Sequence, residues 1–407
     1  MPINPKRISH DIETIAGFNA ATPAIGFSRP TFSHPWRRAR DYVIAEAEAA
    51  GCKTRIDGFG NVHVRPKQID WTGNVWLSGS HIDSVPTGGK FDGVVGVICV
   101  LEVLRSADEA KQIAPIELVI FAEEEGTTFG LGMIGSRLWT GAATADSIQA
   151  FLNSDGQTYI TAGERDGVRP SDFARDAFDP SRYRAFVEIH IEQGPAMWAG
   201  KAPVAVVSAI SGRQQYRVEL DGVPNHAGTT PMSMRSDALT AAARVILELE
   251  TMAQELSAHT VATVGKIECF PNAINVIPGV VRFTVDVRSP SADDLFEADR
   301  RLDLMIRESS ATDASLTKTE EQPVVELNHA LVDRLAKIAG PNVPITISGA
   351  LHDAAILALY LPTAMLFVAS RDGISHNPAE FSRIEDITSA AILLEKLVSD
   401  STPLDFF

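Results

Sequence analysis

Residues 77–96 read LSGSHIDSVPTGGKFDGVVG, and the fold class follows from how this stretch divides. Just upstream, Asn74-Val75-Trp76-Leu77 is short and apolar, the end of a buried strand. The strand stops at His81, and Asp83, two residues on, shares its face of the extended chain. Pro86, Gly88 and Gly89 then make a loop that turns sharply and lets backbone approach closely. Asp92-Gly93 closes the loop, and 94–104 reads as a buried helix. A histidine at a strand tip and an aspartate at the next helix start converge on the mouth where open α/β sheets bind ligands. Imidazole and carboxylate together suit a borderline metal such as zinc. An isolated His-x-Asp more often only caps a turn, so the rest of the chain decides.

The chain has 407 residues, long enough for two domains and a large core. Its composition, 45% hydrophobic and 22% charged, is that of an ordinary globular protein. A net charge of −16 argues against nucleic acid or an anionic membrane as partner, though not against a small anionic substrate. Cys52, Cys99 and Cys269 are far apart and odd in number, in apolar contexts. They read as reduced thiols in a cytoplasmic protein rather than as a disulfide frame. Residues 1–20 lack the apolar centre of a signal peptide, and the most apolar run, 94–104, carries Glu102 and is too short to span a bilayer.

Helical spacing marks 8–18 and 36–50, and 53–66 reads as a hairpin turned at Gly58-Phe59-Gly60. A β-rich run, 116–122, enters Glu123-Glu124-Glu125-Gly126, where carboxylates at a strand end have one face turned inward. Residues 185–194, AFVEIHIEQG, alternate as a strand, with Glu188, His190 and Glu192 on one face. Later, the β-run 363–369 leads through Gly373-Ile374-Ser375 to His376. Strands alternating with helices predict an α/β fold with a mostly parallel sheet covered by helices on both faces.

Between these parts, 214–321 reads strand, helix, strand, strand, helix, strand, with the second strand at 260–268. This β-α-β-β-α-β order predicts an inserted ferredoxin-like domain of roughly a hundred residues. The expected division is a catalytic metal-binding domain, 1–211 and 325–407, and an inserted lid and dimerisation domain, 212–324. Four strand ends therefore carry candidate ligands: His81 with Asp92, Glu124 with Glu125, His190, and His376. Histidines and carboxylates in this number suit two divalent ions bridged by one carboxylate, which together activate a water. Spacing alone does not choose among Glu123, Glu124 and Glu125. His10, His34, His63, His259 and His329 lack any motif and read as surface or packing residues.

The motifs GSHIDSVPTGGKFDG, AEEEG, EIHIEQG, HAGTTPM, LHDA and GISHNPAE, taken together, resemble the hydantoinase/carbamoylase amidases. These belong to the clan of dinuclear-zinc aminoacylases and carboxypeptidases. The resemblance covers nearly the whole chain. It implies that Asp92 bridges two metal ions, with His81 and His190 on one and Glu125 and His376 on the other. Asp83 would orient His81, and Glu124 would act as general base; the family pattern puts the ligand immediately before the glycine. His226 and Asn275 would stabilise the oxyanion, Arg288 would grip a substrate carboxylate, and Gln193 and His352 would line the substrate path. The resemblance also implies a homodimer through the inserted domain, with His226 reaching the partner's site.

Two residues depart from the pattern. Leu351 stands where the family has glycine, and Pro224 where a small residue is common. Both bear on substrate choice and neither removes a ligand. The expected activity is hydrolysis of the C–N bond of a small N-carbamoyl or ureido acid, with zinc, manganese or cobalt as the ions. The competing expectations are a dipeptidase or aminoacylase of the same clan, or a scaffold that has lost its chemistry.

Overall fold

The computed structural model describes residues 3–22, 24–309 and 312–400. Its strands in chain order are β1 (Cys52–Ile56), β2 (Val62–Pro66), β3 (Val75–His81), β4 (Ile116–Phe121), β5 (Tyr183–Ile191), β6 (Val204–Ile210) and β7 (Gly212–Asp221). They continue with β8 (Val261–Thr263), β9 (Ile267–Phe270), β10 (Val280–Ser289), β11 (Asp313–Gln322), β12 (Val325–Glu326), β13 (Ile345–Ser348) and β14 (Thr363–Val368). The chain divides into two compact units, Met1–Ser208 with Glu326–Phe407, and Ala209–Val325.

The first unit is α/β. Its sheet runs β1-β2-β4-β3-β5-β14-β6-β12, with β13 paired to β6. The four central neighbours β4, β3, β5 and β14 are mutually parallel. The flanks are antiparallel: the β1–β2 hairpin joins β4 on one side, and β6 joins β14 on the other. Every residue of β3, β4 and β14 is buried, so both faces of the centre are covered, as crossover connections require. The helix Val94–Glu109, between β3 and β4, is apolar almost all round and buried through Ser106. Its one early carboxylate, Glu102, is fully buried and is matched by Arg7 at 2.7 Å and by the Asn4 backbone N–H.

His63 is more than a packing residue. It lies fully buried on β2, with Nδ1 2.7 Å from Glu117 and Nε2 2.9 Å from Asp57. Glu117 also receives Arg65 and the Tyr183 hydroxyl, so the group is a buried ion network.

In the second unit the sheet order is β11-β7-β10, with β8 and β9 both on the far side of β10, all antiparallel. Alternate residues Tyr216, Val218 and Leu220 of β7 and Val281, Phe283 and Val285 of β10 face the core. They pack on Ala242, Val245 and Leu249 of the helix Ala238–Leu256 and on Leu295, Ala298 and Leu302 of the helix Ala292–Arg307. The single strand expected over 260–268 is two pieces. Thr263 pairs with Asp286 and Ile267 with Phe283, so 264–266 oppose only 284–285. One extra residue there makes a bulge at Gly265. Among the described residues, no helix is long and apolar enough to cross a membrane.

Candidate metal centre

The four parallel strands of the first unit each deliver side chains at their carboxyl ends. His81 ends β3, His190 is the penultimate residue of β5, Glu123 to Glu125 follow β4, and His376 lies in the loop after β14. Because these strands are neighbours, residues up to 295 positions apart meet at one edge of the sheet.

Asp92 is the meeting point. His190 Nε2 lies 3.1 Å and His81 Nε2 3.7 Å from its Oδ1, while His376 Nε2 lies 3.2 Å from its Oδ2. Two donor groups share it: His81, Asp92 and His190, and Asp92, Glu125 and His376, each with ligand atoms within 4.8 Å of one another. Gln193 Nε2 donates to Asp92 Oδ2 at 2.8 Å. Glu125 Oε2 is 3.6 Å from His376 Nε2, and Glu124 Oε2 is 3.6 Å from His81 Nε2.

Backbone contacts set the histidine tautomers. His81 Nδ1 bonds to the Asp83 carbonyl and His190 Nδ1 to the Ile191 carbonyl, both at 3.0 Å. A carbonyl only accepts, so each Nδ1 carries a proton and Nε2 is the nitrogen turned to the cluster, which would give up any proton of its own on binding an ion. The Asp83 carboxylate stands 3.8 Å from His81 Nδ1 and accepts instead from the Glu124 and Glu125 N–H groups, at 3.4 and 3.1 Å. Gly93 permits the tight approach of Asp92: its φ is +66°, and a Cβ there would meet the His81 ring at 2.5 Å.

Several non-glycine residues at these strand exits have left-handed backbones: Glu123 (φ 59°), Gln193 (φ 56°) and His376 (φ 54°). Such strain gathers where side chains must be re-aimed. At Glu123 it breaks the strand alternation, so three adjacent carboxylates take three directions. Glu123 turns away and accepts from the N–H groups of Thr128 and Phe129, both at 2.9 Å.

His352 is buried behind His190, its ring edge-on at 4.4 Å between centroids and its Nε2 2.8 Å from Ser348 Oγ. Glu188, though near both rings, is committed to Ser80 Oγ and the Ala354 N–H. Leu351, just before His352, is half-buried.

Burial dominates the electrostatics. It pushes the Glu124 and Glu125 carboxyls well above their ordinary range, aided by Asp353 near Glu124 and by Asp92 near Glu125. Burial also lowers His81 to about 4, keeping it neutral. Asp92 is held well below the usual range, because hydrogen bonds from His190 and His376 outweigh its burial. Beneath the cluster, the Arg29 guanidinium is fully buried, its Nε donating to the Ile82 carbonyl at 2.9 Å.

This donor set fits divalent ions. Imidazole nitrogens and clustered, nearly buried carboxylates are what zinc or manganese bind, and so much buried negative charge is costly without cations.

In the second unit, His226 Nδ1 accepts from the Gly228 N–H at 3.0 Å, which leaves Nε2 as the proton-bearing nitrogen of the neutral ring. Its neighbour Ala227 donates to the Asn275 carbonyl at 3.0 Å, so His226 and Asn275 stand on paired segments. Arg288, at the end of β10, donates from Nε to Asp286 at 2.9 Å, and Gln215 holds the other oxygen of Asp286 at 2.8 Å.

Glu380 closes the GISHNPAE motif, yet the sequence assigned it no task. It is 3% exposed and accepts from the N–H groups of Phe91 and Asp92. An isolated glutamate after Asn-Pro-Ala carries no periodicity or spacing that announces such a fold-back. Arg29 gave no signal either.

Residues 77–400 match peptidase family M20/M25/M40. The chain is 34% identical to the N-carbamoyl-L-amino-acid amidohydrolase of Paenarthrobacter aurescens, over 94% of each chain. It is 35% identical to the allantoate amidohydrolase of Escherichia coli K12, over 90% of this chain and 91% of that one. The crystal structure of a hydantoinase/carbamoylase family amidase from Burkholderia multivorans superposes with a TM-score of 0.89 at 33% identity, covering 98% of this chain and 97% of that one. Enzymes of the M20 family are metal-dependent. The chain belongs to peptidase family M20/M25/M40, among its hydantoinase/carbamoylase amidases, and is a hydrolase of amide C–N bonds.

Proposed function

We propose that this protein hydrolyses the C–N bond of a small N-carbamoyl or ureido acid at a site for two divalent ions. The observation that carries the reading is Asp92, whose two oxygens each face a different histidine-containing donor group. One ion would be held by His81, Asp92 and His190, the other by Asp92, Glu125 and His376, and together they would polarise the scissile carbonyl and acidify a water.

Glu124 takes the proton of the attacking water and passes it to the leaving nitrogen, a task suited to a carboxyl whose burial raises its affinity for protons. Asp83 braces the segment behind it through the Glu124 and Glu125 N–H groups. His226, protonated on Nε2, and Asn275 donate to the oxyanion of the tetrahedral intermediate. Arg288 binds the substrate carboxylate, pre-set by Asp286. Gln193, His352 and Leu351 shape the path to the ions.

The relatives named for N-carbamoyl-L-amino acids and for allantoate, at 34% and 35% identity, mark out the substrate class. Residues 1–211 and 325–407 form the catalytic domain, and 212–324 a ferredoxin-like lid through which the chain dimerises. The free thiols Cys52, Cys99 and Cys269 accord with a reducing, cytoplasmic compartment.

The test is ammonia release from N-carbamoyl-L-amino acids, N-carbamoyl-β-alanine and allantoate, run beside dipeptides and N-acyl amino acids. Turnover of a carbamoyl or ureido acid well above the others supports the reading. Preference for peptides or N-acyl amino acids replaces it with a peptidase or aminoacylase.

A further inference from the structure

The two halves of the cluster are built differently. His81 and His190 stand on adjacent central strands, buried, with each Nδ1 locked to a backbone carbonyl at 3.0 Å. Their positions come with the sheet. His376 sits instead in a loop beyond β14, its side chain 50% exposed and its backbone left-handed. Something other than the sheet must hold that loop against Asp92.

Glu380 does so geometrically. Its Oε1 accepts from the N–H groups of Phe91 and Asp92, at 2.8 and 3.1 Å, and its Oε2 accepts from Ser375 Oγ at 3.0 Å. Ser375, next to His376, also stands 3.4 Å from Asp92 Oδ2 and 3.3 Å from Gln193 Nε2. One buried carboxylate thus joins the segment carrying Asp92 to the segment carrying His376. The loop from β3 is shaped to receive it: a Cβ on Gly89 would lie 2.2 Å from the Glu380 carboxyl group, so only glycine leaves room. A buried carboxylate is costly unless its oxygens are used, and here both are.

We propose that Glu380 is the positioning residue that assembles the Asp92–Glu125–His376 half of the site, so that affinity for the ion in that half, and not for the ion held by His81, Asp92 and His190, depends on it. The inference rests on the two-ion reading above.

Metal-stripped full-length protein titrated with Zn2+ in a calorimeter, with bound metal counted after gel filtration, tests it. Wild type should take two ions. In Glu380→Ala one of the two steps should lose ~10–100-fold in affinity while the other stays unchanged. Glu380→Gln should stay near wild type, since its carbonyl still accepts both N–H groups and Ser375 can rotate to accept from the amide. Ser375→Ala cuts the Glu380 link to the His376 loop, with the longer Ser375 contacts to Asp92 and Gln193, and should also weaken one step alone, which keeps the test decisive if Glu380→Ala does not fold. Circular dichroism and a cooperative melt of the metal-free proteins check folding. Two ions bound with unchanged affinities in Ser375→Ala and in folded Glu380→Ala, or equal weakening of both steps in Ser375→Ala, overturn the tether alone. Wild type binding fewer than two ions overturns the two-ion reading and the tether with it.

Discussion

His190 Nε2 lies 3.1 Å from Asp92 Oδ1, and the opposite oxygen of the same carboxylate lies 3.2 Å from His376. A carboxylate used from both sides is worth more to the site than any one histidine. Chelation should therefore abolish activity, and Zn2+ or Mn2+ should restore it. Asp92→Asn should lose both ions by elemental analysis, whereas His190→Ala should lose one. Full activity in thoroughly stripped protein would sink the assignment.

The proposed mechanism gives the neighbours Glu124 and Glu125 separate tasks. Glu124→Gln should keep two ions and lose ~10²–10⁴-fold in kcat, the usual worth of a positioned general base. Glu125→Gln should lose the ion it shares with His376. If metal analysis gives the reverse pattern, the two roles are exchanged.

Arg288 is pre-oriented by Asp286, itself held by Gln215. Arg288→Ala should raise KM for carboxylate substrates ~10–100-fold, the worth of a charge-assisted pair. Arg288→Lys should recover only part, because an ammonium cannot form the planar fork. Leu351→Gly should reorder substrates by size while leaving the melting temperature nearly unchanged. Normal KM in Arg288→Ala, or an unaltered ranking in Leu351→Gly, would count against these contacts.

If the chain dimerises through the lid and His226 serves the partner's site, as the resemblance implies, the two sites complement each other. His226→Ala and Glu124→Gln chains, each inactive alone, should regain partial activity when mixed under conditions of subunit exchange. No recovery after exchange is demonstrated by mass would place His226 in its own chain's site.

His63 gives a prediction on stability. Burial and the Arg55 charge push its pKa down, but the bonds to Asp57 and Glu117 prevail and the imidazole ends above its ordinary 6.5. A raised histidine stabilises the fold fully below the unfolded value, and that contribution is lost as pH climbs through the folded one. His63→Gln should therefore cost about 3–5 kcal/mol in mildly acid buffer, since it breaks a buried ion network. The deficit should shrink in alkaline buffer. Denaturant melts of both proteins across this range check it, and a deficit that grows with pH contradicts the charged assignment.

The sequence by itself determined the placement of histidines and carboxylates at strand ends. Strand and helix periods and glycine turns are local properties, so the run into His81, the buried helix after Gly93 and the alternation through His190 could be read without any partner. Motif by motif, the chain also declared its kinship. Tertiary structure alone decided what those residues face. The order β4-β3-β5-β14 brings distant strand ends to one edge through pairings that no local pattern encodes. The left-handed turn at Glu123, with Asp83 holding the next two N–H groups, settles which of three adjacent glutamates points where. Glu380, 288 residues beyond Asp92, and His63, 54 residues from Glu117, take their meaning from such contacts. A side chain leaving regular structure is aimed by its long-range hydrogen bonds, and these exist only once the fold has closed.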